Sequence, residues 1–260
     1  MNKQAWTREQ TLIALNLYCQ LSFGQLHSRN QLISQTAELM DRTPSSLAMK
    51  LVNLASLDPV ISQSGRKGLS SCSQLDREIW QNFMQHPELI GEESQLLVDN
   101  LVQSTPSLVS LSSIDNANQS SDFTGHDAMR SVKTRIKQSF FRKAVLSSYE
   151  EKCCMSGINT SALLIASHIM PWSHNPQQRL NPRNGLCLSA LHDKAYDAGL
   201  ITVTPDFIIK VSEQLKYQEH SLLGQDYLLA LEGLSIHLPK KFQPEPEFLA
   251  YHQANIFLKS

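Results

Sequence analysis

Apolar residues recur at helical spacing through the first hundred positions. Thr7 stands as an N-cap ahead of Leu12, Leu15 and Cys19, so a first amphipathic helix is expected to about Leu21. A second follows Ser28, with Ile33, Ala37 and Met40 on one face. Beyond Asp41 and Arg42, Thr43 caps and Pro44 starts a third. Its Leu47, Leu51 and Leu54 face inward, and Ser45, Ser46, Lys50 and Asn53 face outward. Ser73 and Asp76 form a capping box for a fourth helix that stacks Leu75, Ile79 and Phe83. Helix, tight turn, helix with a small polar leading edge is the outline of a helix-turn-helix, and equally of a plain helical bundle. Between the third and fourth helices, the glycine-flanked turn 64–68 carries Arg66 and Lys67, which suit either a phosphate contact or a solvated loop.

Periodicity disappears from Val102 to Asp127, where Ser, Asn, Gln and Asp accumulate, so a linker is expected there. It returns from about Met129 to Ser148, with Val132, Ile136, Phe140 and Ala144 on one face. Arg130, Lys133, Arg135, Lys137, Arg142 and Lys143 lie on the same helix with no acid among them, as a solvated face or as a contact for a phosphate backbone.

The pattern then changes from period 3.6 to short strands. Leu163 to Ala166 lead into Ser167, His168 and Ile169, and Pro171 stops the strand. Residues 175–184, rich in Asn, Pro, Gln and Arg, read as a loop, and Leu186 to Leu188 as a second strand. Ser189 caps a helix running to Ala198, and Gly199 ends it. Asp193 and Asp197, four apart, project from one face of that helix. Farther on, Ile201 to Val203 and Ile208 to Val211 form a hairpin around Pro205 and Asp206. Small helices and loops follow. The last helix, Glu247 to Phe257, is expected to turn Phe248, Tyr251 and Ile256 inward and to leave His252 as an exposed or capping histidine.

The stretch 163–200 resembles the HNH endonuclease family, the ββα-metal finger nucleases. The residues that carry the likeness are Ala166-Ser167-His168-Ile169 with Pro171-Trp172, then Asn181-Pro182 with Asn184-Gly185-Leu186, then Leu191-His192-Asp193 with Tyr196-Asp197. The likeness extends from near Arg142 to Ser212. The stretch from Trp6-Thr7-Arg8 to Glu78-Ile79-Trp80 also looks like the segment that commonly precedes the nuclease module in bacterial restriction enzymes. The resemblance implies an α+β protein: a helical N-terminal domain over 1–100 that meets DNA, a linker over 101–128, and a ββα nuclease domain over 129–260. It implies metal-assisted hydrolysis of phosphodiester bonds in double-stranded DNA, for restriction or defence. His168 would be the general base, Asn184 the residue that orients it, and Asp193 and Asp197 the metal ligands, with His192 as a substitute.

A histidine suits the proton transfer because its pKa lies near working pH, and a hard divalent ion suits the developing charge. Two departures bear on the metal. Relatives commonly place Asp or His before the base histidine, where this chain has Ser167, so Mg²⁺ or Mn²⁺ is expected rather than tight Zn²⁺. Relatives with a structural zinc carry paired C-x-x-C motifs, whereas here Cys153-Cys154 precede Met155-Ser156 and Cys187 stands apart. No structural zinc is therefore expected, and Cys154 and Cys187 read as small core residues. Arg179, Arg183 and Lys194 would hold phosphates or pair with local acids. Trp172 anchors its loop. His174 reads as a solvated loop residue.

Composition adds limits. A formal net charge of −1 leaves DNA binding to local patches, namely Lys50, Asn53, Arg66, Lys67, Lys133, Lys137, Arg142, Arg179, Arg183 and Lys194. Five cysteines without regular spacing suit reduced thiols. No apolar run reaches membrane-spanning length and the first ten residues lack a signal peptide's apolar core, so a cytoplasmic protein is expected. One site cuts one strand, so a double-strand break calls for two copies, as in a homodimer. The rival reading is a DNA-binding regulator that has lost cleavage, which Ser167 favours.

Overall fold

The structure, a computed structural model, describes residues 5–63, 72–103 and 125–258, with the backbone alone for 125–136 and for Leu223. Arg66, Lys67, the side chain of Lys133 and most of the expected linker lie outside the described residues. The chain divides into two units, Met1–Phe140 and Phe141–Ser260.

The first unit is helical. α1 (Arg8–Gln20) opens on the capping box of Thr7 and Gln10. α2 (Gln31–Leu39) is capped by Asn30 rather than begun directly after Ser28; the Asn30 side chain accepts from Leu32 and Ile33. α3 (Pro44–Ala55) starts at the expected Thr43-Pro44 pair. A short α4 (Pro59–Gln63) leads to α5 (Gln74–Gln85), whose capping box joins Ser73 and Asp76, and α6 (Pro87–Gln103) follows. Leu12, Leu15, Ile33, Leu47, Leu51, Leu54 and Phe83 are fully buried. Each such side chain contributes roughly 1.5–3 kcal/mol by leaving water.

Among the described residues one ion pair is buried in this core, and it corrects the sequence reading. Lys50, expected on the outward face of α3, is 4% exposed and bound to the fully buried Asp76 at 2.6 Å. Its ammonium also lies 4.7 Å from the Trp6 ring centroid. The long stem reaches inward because α5 presents an acid there, so Lys50 is not available to DNA. Asn53, expected beside it, is half-buried with its side-chain oxygen enclosed. Lys137 is likewise engaged, by Glu88 at 2.6 Å and Glu92 at 2.9 Å, both four residues apart on α6.

α7 (Gly125–Ser148) carries the boundary between the units. In the second unit β1 (Leu164–His168) pairs antiparallel with β2 (Gly185–Ser189), from Leu164 opposite Ser189 to His168 opposite Gly185. Gly185 allows the close approach: a Cβ there would strike Val145 and crowd Phe141 on the last turns of α7. α8 (Ala190–Asp197) starts at once from β2, with the Ser189 side chain capping His192 N–H. Gly199, at φ +71°, then turns the chain into β3 (Ile201–Val203), which pairs with β4 (Ile209–Val211). α9 (Glu213–Gln218) and α10 (Leu222–Tyr227) follow, and α11 (Pro246–Asn255) packs on β3. On α11 Leu249 and His252 are the buried residues, while Phe248, Tyr251 and, just past its end, Ile256 are half-buried. Among the described residues no helix is long and apolar enough to cross a membrane.

Removing one partner of a buried ion pair strands the other charge. Asp76→Asn, which keeps the helix cap, is expected to lower unfolding stability in urea by about 3–5 kcal/mol. Adding Lys50→Met to that variant should restore most of the loss.

Candidate active site

The site grows from the end of β1. Leu164 and Ile169 are buried, and Ser167 and His168 both line the cleft that α8 also borders. Three contacts hold the imidazole. Its ring stacks on Phe141 with centroids 3.8 Å apart and planes 8° from parallel. Trp172 meets it edge-on at 5.4 Å. Nε2 lies 3.0 Å from the carbonyl of Arg179. A carbonyl only accepts, so Nε2 carries the hydrogen and Nδ1 keeps its lone pair. Burial lowers the His168 pKa from its ordinary 6.5, opposed by the bond to Arg179, so the ring is neutral at physiological pH.

Asn184 bonds the backbone and not that ring. It is 1% exposed and clamps the backbone just past it: the Met170 N–H donates to Oδ1 at 2.8 Å, and Nδ2 donates to the Met170 carbonyl at 3.1 Å. The Ile169 N–H donates to the Asn184 carbonyl at 3.0 Å. Three bonds thus continue the ladder where the strands end. Arg142, at the foot of the same sheet, donates to the Leu164 carbonyl at 2.8 Å.

Opposite His168, α8 turns Asp193 and Asp197 into a cleft of about 500 Å³, which Ser167, His168, Trp172, His252 and Ile256 also line. Burial raises the pKa of Asp193, while the neighbouring Ser167 hydroxyl and Lys194 pull it back. Burial and then the charge of Asp193 raise Asp197. The Ser167 hydroxyl is buried, and its approach to Asp193 falls short of a formed hydrogen bond. Two like charges that disfavour each other, beside a hydroxyl without a formed bond, fit a divalent cation bound through oxygen. Among the described residues no group of three or more His, Cys, Asp or Glu side chains is arranged to hold a metal, so water would complete such a coordination shell.

His192 is a correction. It is 1% exposed and turned away from the cleft, with Nε2 donating to the Tyr227 carbonyl at 3.0 Å. Nδ1 lies 3.1 Å from Ser189 Oγ and 3.3 Å from Cys153 Sγ. Burial works against charge on both partners, yet the bond between them draws the Cys153 thiol down to about 6 and raises His192. The residue is a structural tie for the start of α8 and not a substitute ligand.

The expected phosphate contacts divide. Arg183 pairs with Glu245 and donates to the Gln243 carbonyl, and Arg142 braces β1. Arg179 donates to the Trp172 carbonyl at 2.9 Å and lies over the indole at 5.0 Å, so both residues anchor the loop. Lys194 is exposed on α8. His174 is exposed as well, with Nδ1 2.8 Å from the Tyr251 hydroxyl.

Sequence reasoning missed Phe141, the Cys153–His192 tie and the true place of His252. That histidine is 1% exposed, and its ring stacks on Tyr196 at 3.7 Å. Its one available signal was position: His252 follows Leu249 at the i+3 step of the buried stripe of α11.

A family model described as HNH endonuclease matches residues 153–204, which include β1, β2, α8 and β3. No curated protein matches the chain.

Burial lowers the His252 pKa to about 4. The unfolded chain, with an ordinary histidine near 6.5, therefore binds the proton more readily than the native one between these values. The sign follows: this contribution is complete above pH 6.5 and is lost as pH falls towards 4. Urea unfolding of the second unit is expected to weaken by about 3 kcal/mol across that window. His252→Gln should flatten the dependence.

Proposed function

We propose, from the match of residues 153–204 to the HNH endonuclease family model, that this cleft hydrolyses phosphodiester bonds in double-stranded DNA with a divalent cation, in restriction or defence within the cytoplasm. The observation that carries the reading is the convergence of a neutral imidazole and two carboxylates on one cleft.

In this reading His168 is the general base. Its Nε2–H is committed to the Arg179 carbonyl, so Nδ1 is the atom that takes the proton from the attacking water. Asn184 acts through the backbone: by fixing Met170 and Ile169 it fixes the direction in which the strand delivers the ring. Asp193 and Asp197 would hold the cation, and oxygen ligands with water in the shell favour Mg²⁺ or Mn²⁺ over tight Zn²⁺. Bound there, a cation supplies positive charge to the scissile phosphate as negative charge builds on it. Phe141 and Trp172 exclude water from the sides of the base, and exposed Lys194 offers a contact for a flanking phosphate. The helical first unit would position the DNA, and two copies of the chain would answer for a double-strand break.

The rival, a regulator that binds without cutting, draws on Ser167, a hydroxyl where relatives place a metal-binding side chain. Incubation with supercoiled plasmid separates the two. The nuclease should nick it with Mg²⁺ or Mn²⁺, stop with EDTA, and lose about 10²–10⁴-fold in rate in His168→Ala while gel-shift binding persists. Binding without nicking, under several metals and states of base modification, would leave the regulator standing.

The pH profile has a defined sign. His168 must be neutral to accept a proton, and its pKa lies below 6.5. The two acids must be charged, and both titrate above the ordinary 3.8. The rate is therefore expected to stay level through neutrality and to fall only on the acid side of pH 6.5.

A further inference from the structure

The end of α8 is held by a part of the chain that lies beyond the family match. His252, on α11, places Nε2 3.2 Å from the carbonyl of Tyr196 and Nδ1 2.9 Å from Thr202 Oγ1. The carbonyl accepts, so Nε2–H donates to Tyr196, and the threonine hydroxyl donates to Nδ1. Both ring nitrogens are thereby occupied, and the ring face is covered by Tyr196 at 17° from parallel. Two residues past α8 the same segment closes on Gly199. The Leu258 N–H donates to its carbonyl at 2.9 Å, and a Cβ at Gly199 would strike the Ile256 carbonyl oxygen.

These contacts fall between and beside the two acids. Tyr196 is three residues after Asp193 and one before Asp197. Its carbonyl is among the last four of the helix, which helix geometry leaves short of partners; here Gly199 N–H and His252 supply them. A turn of α8 by one residue rotates its side chains by about 100°, so even a small rotation carries both carboxylates away from His168. The two residues preceding α8 in β2 are buried, and His192 ties its first turn, so its last turn is the part left to be fixed from outside.

We propose that His252 is a positioning residue for the metal site: through the Tyr196 carbonyl and ring it fixes the setting of α8, and so the separation and aim of the Asp193 and Asp197 carboxylates. This rests on the reading of those acids as metal ligands in a nuclease. His252 touches neither metal nor substrate in this scheme, because both its nitrogens are already bonded. Glutamine at this position can keep both bonds, with one amide donor for Tyr196 and one carbonyl acceptor for Thr202. Alanine keeps neither.

The test uses the full chain and two readouts. Mn²⁺ binding is followed by the loss of the free-ion electron paramagnetic resonance signal, with circular dichroism to check the fold. Plasmid nicking is then measured against Mn²⁺ and DNA concentration separately. His252→Ala is expected to bind Mn²⁺ about tenfold more weakly, in the range seen when outer partners of metal ligands are removed. It should also lower kcat and raise the Mn²⁺ needed for half-activation, with KM for DNA unchanged. His252→Gln should recover most of the Mn²⁺ affinity. Thr202→Val, nearly isosteric, carries the test should the alanine variant fail to fold, and should weaken Mn²⁺ binding in the same direction. Wild-type Mn²⁺ affinity in the folded alanine or valine variants overturns the proposal, as does an equal loss in alanine and glutamine. A wild-type protein that binds Mn²⁺ through Asp193 and Asp197 but never nicks overturns the nuclease reading alone. One that binds no Mn²⁺ there overturns both.

Discussion

Two strands of five residues decide whether the cleft exists, and the register between them is the constraint behind everything else. His168 stands opposite Gly185, the last pair of the ladder. Side chains alternate along a strand, so a slip of one residue would turn His168 and Ala166 to the face now held by Ser167 and Ile165. The same slip would change the phase of α8, because that helix begins at the residue after β2. Four features pin the register. Gly185 admits Val145 where a side chain would collide, Asn184 bonds Met170 on both sides of its peptide, Arg142 holds the Leu164 carbonyl, and Phe141 stacks on the imidazole. All four lie on, or pack against, the last turns of α7 or the residue just before β2.

Electrostatics follow from that placement. The ladder half-buries His168, α8 half-buries Asp193 and leaves Asp197 at the exposed edge of the same cleft, and desolvation acts on each in the direction of its neutral form. For the imidazole this produces a base already deprotonated at neutral pH. For the acids it produces a charge cost that a cation would offset. In the nuclease reading the two effects need the same enclosure, so geometry that would improve His168 as a base would also increase the demand for the ion.

Much of this was legible in the sequence because the informative residues stop or start elements. Thr43-Pro44, Ser73 with Asp76, Ser189 and Gly199 are caps and stops whose chemistry is local, and the structure uses each as such. Asp193 and Asp197 shared a face for a reason of helix geometry alone. α2 begins after Asn30 rather than directly after Ser28 because the Asn30 side chain accepts from the Leu32 and Ile33 N–H groups, a choice that spacing alone does not rank. What stayed hidden was long-range. Nothing near Lys50 announces an acid 26 positions later, and nothing near His192 announces a thiol 39 positions earlier. A charged residue on a helix reads as solvated until tertiary structure supplies a partner. His252 was misread for the same reason: its partners lie 50 and 56 residues back.

The fate of the cations ties these points to function. Lys137, Arg142 and Arg183 are each engaged by acids or carbonyls of the protein, so these three cations are tied into the fold. The cleft itself carries two acids within a chain of net charge −1, a field that opposes a phosphate. A divalent cation between Asp193 and Asp197 would cancel the charge of the two acids where cleavage is proposed to occur. In the nuclease reading, the ion is thus needed to admit the substrate as well as to stabilise its reaction, and whatever fixes α8 governs both.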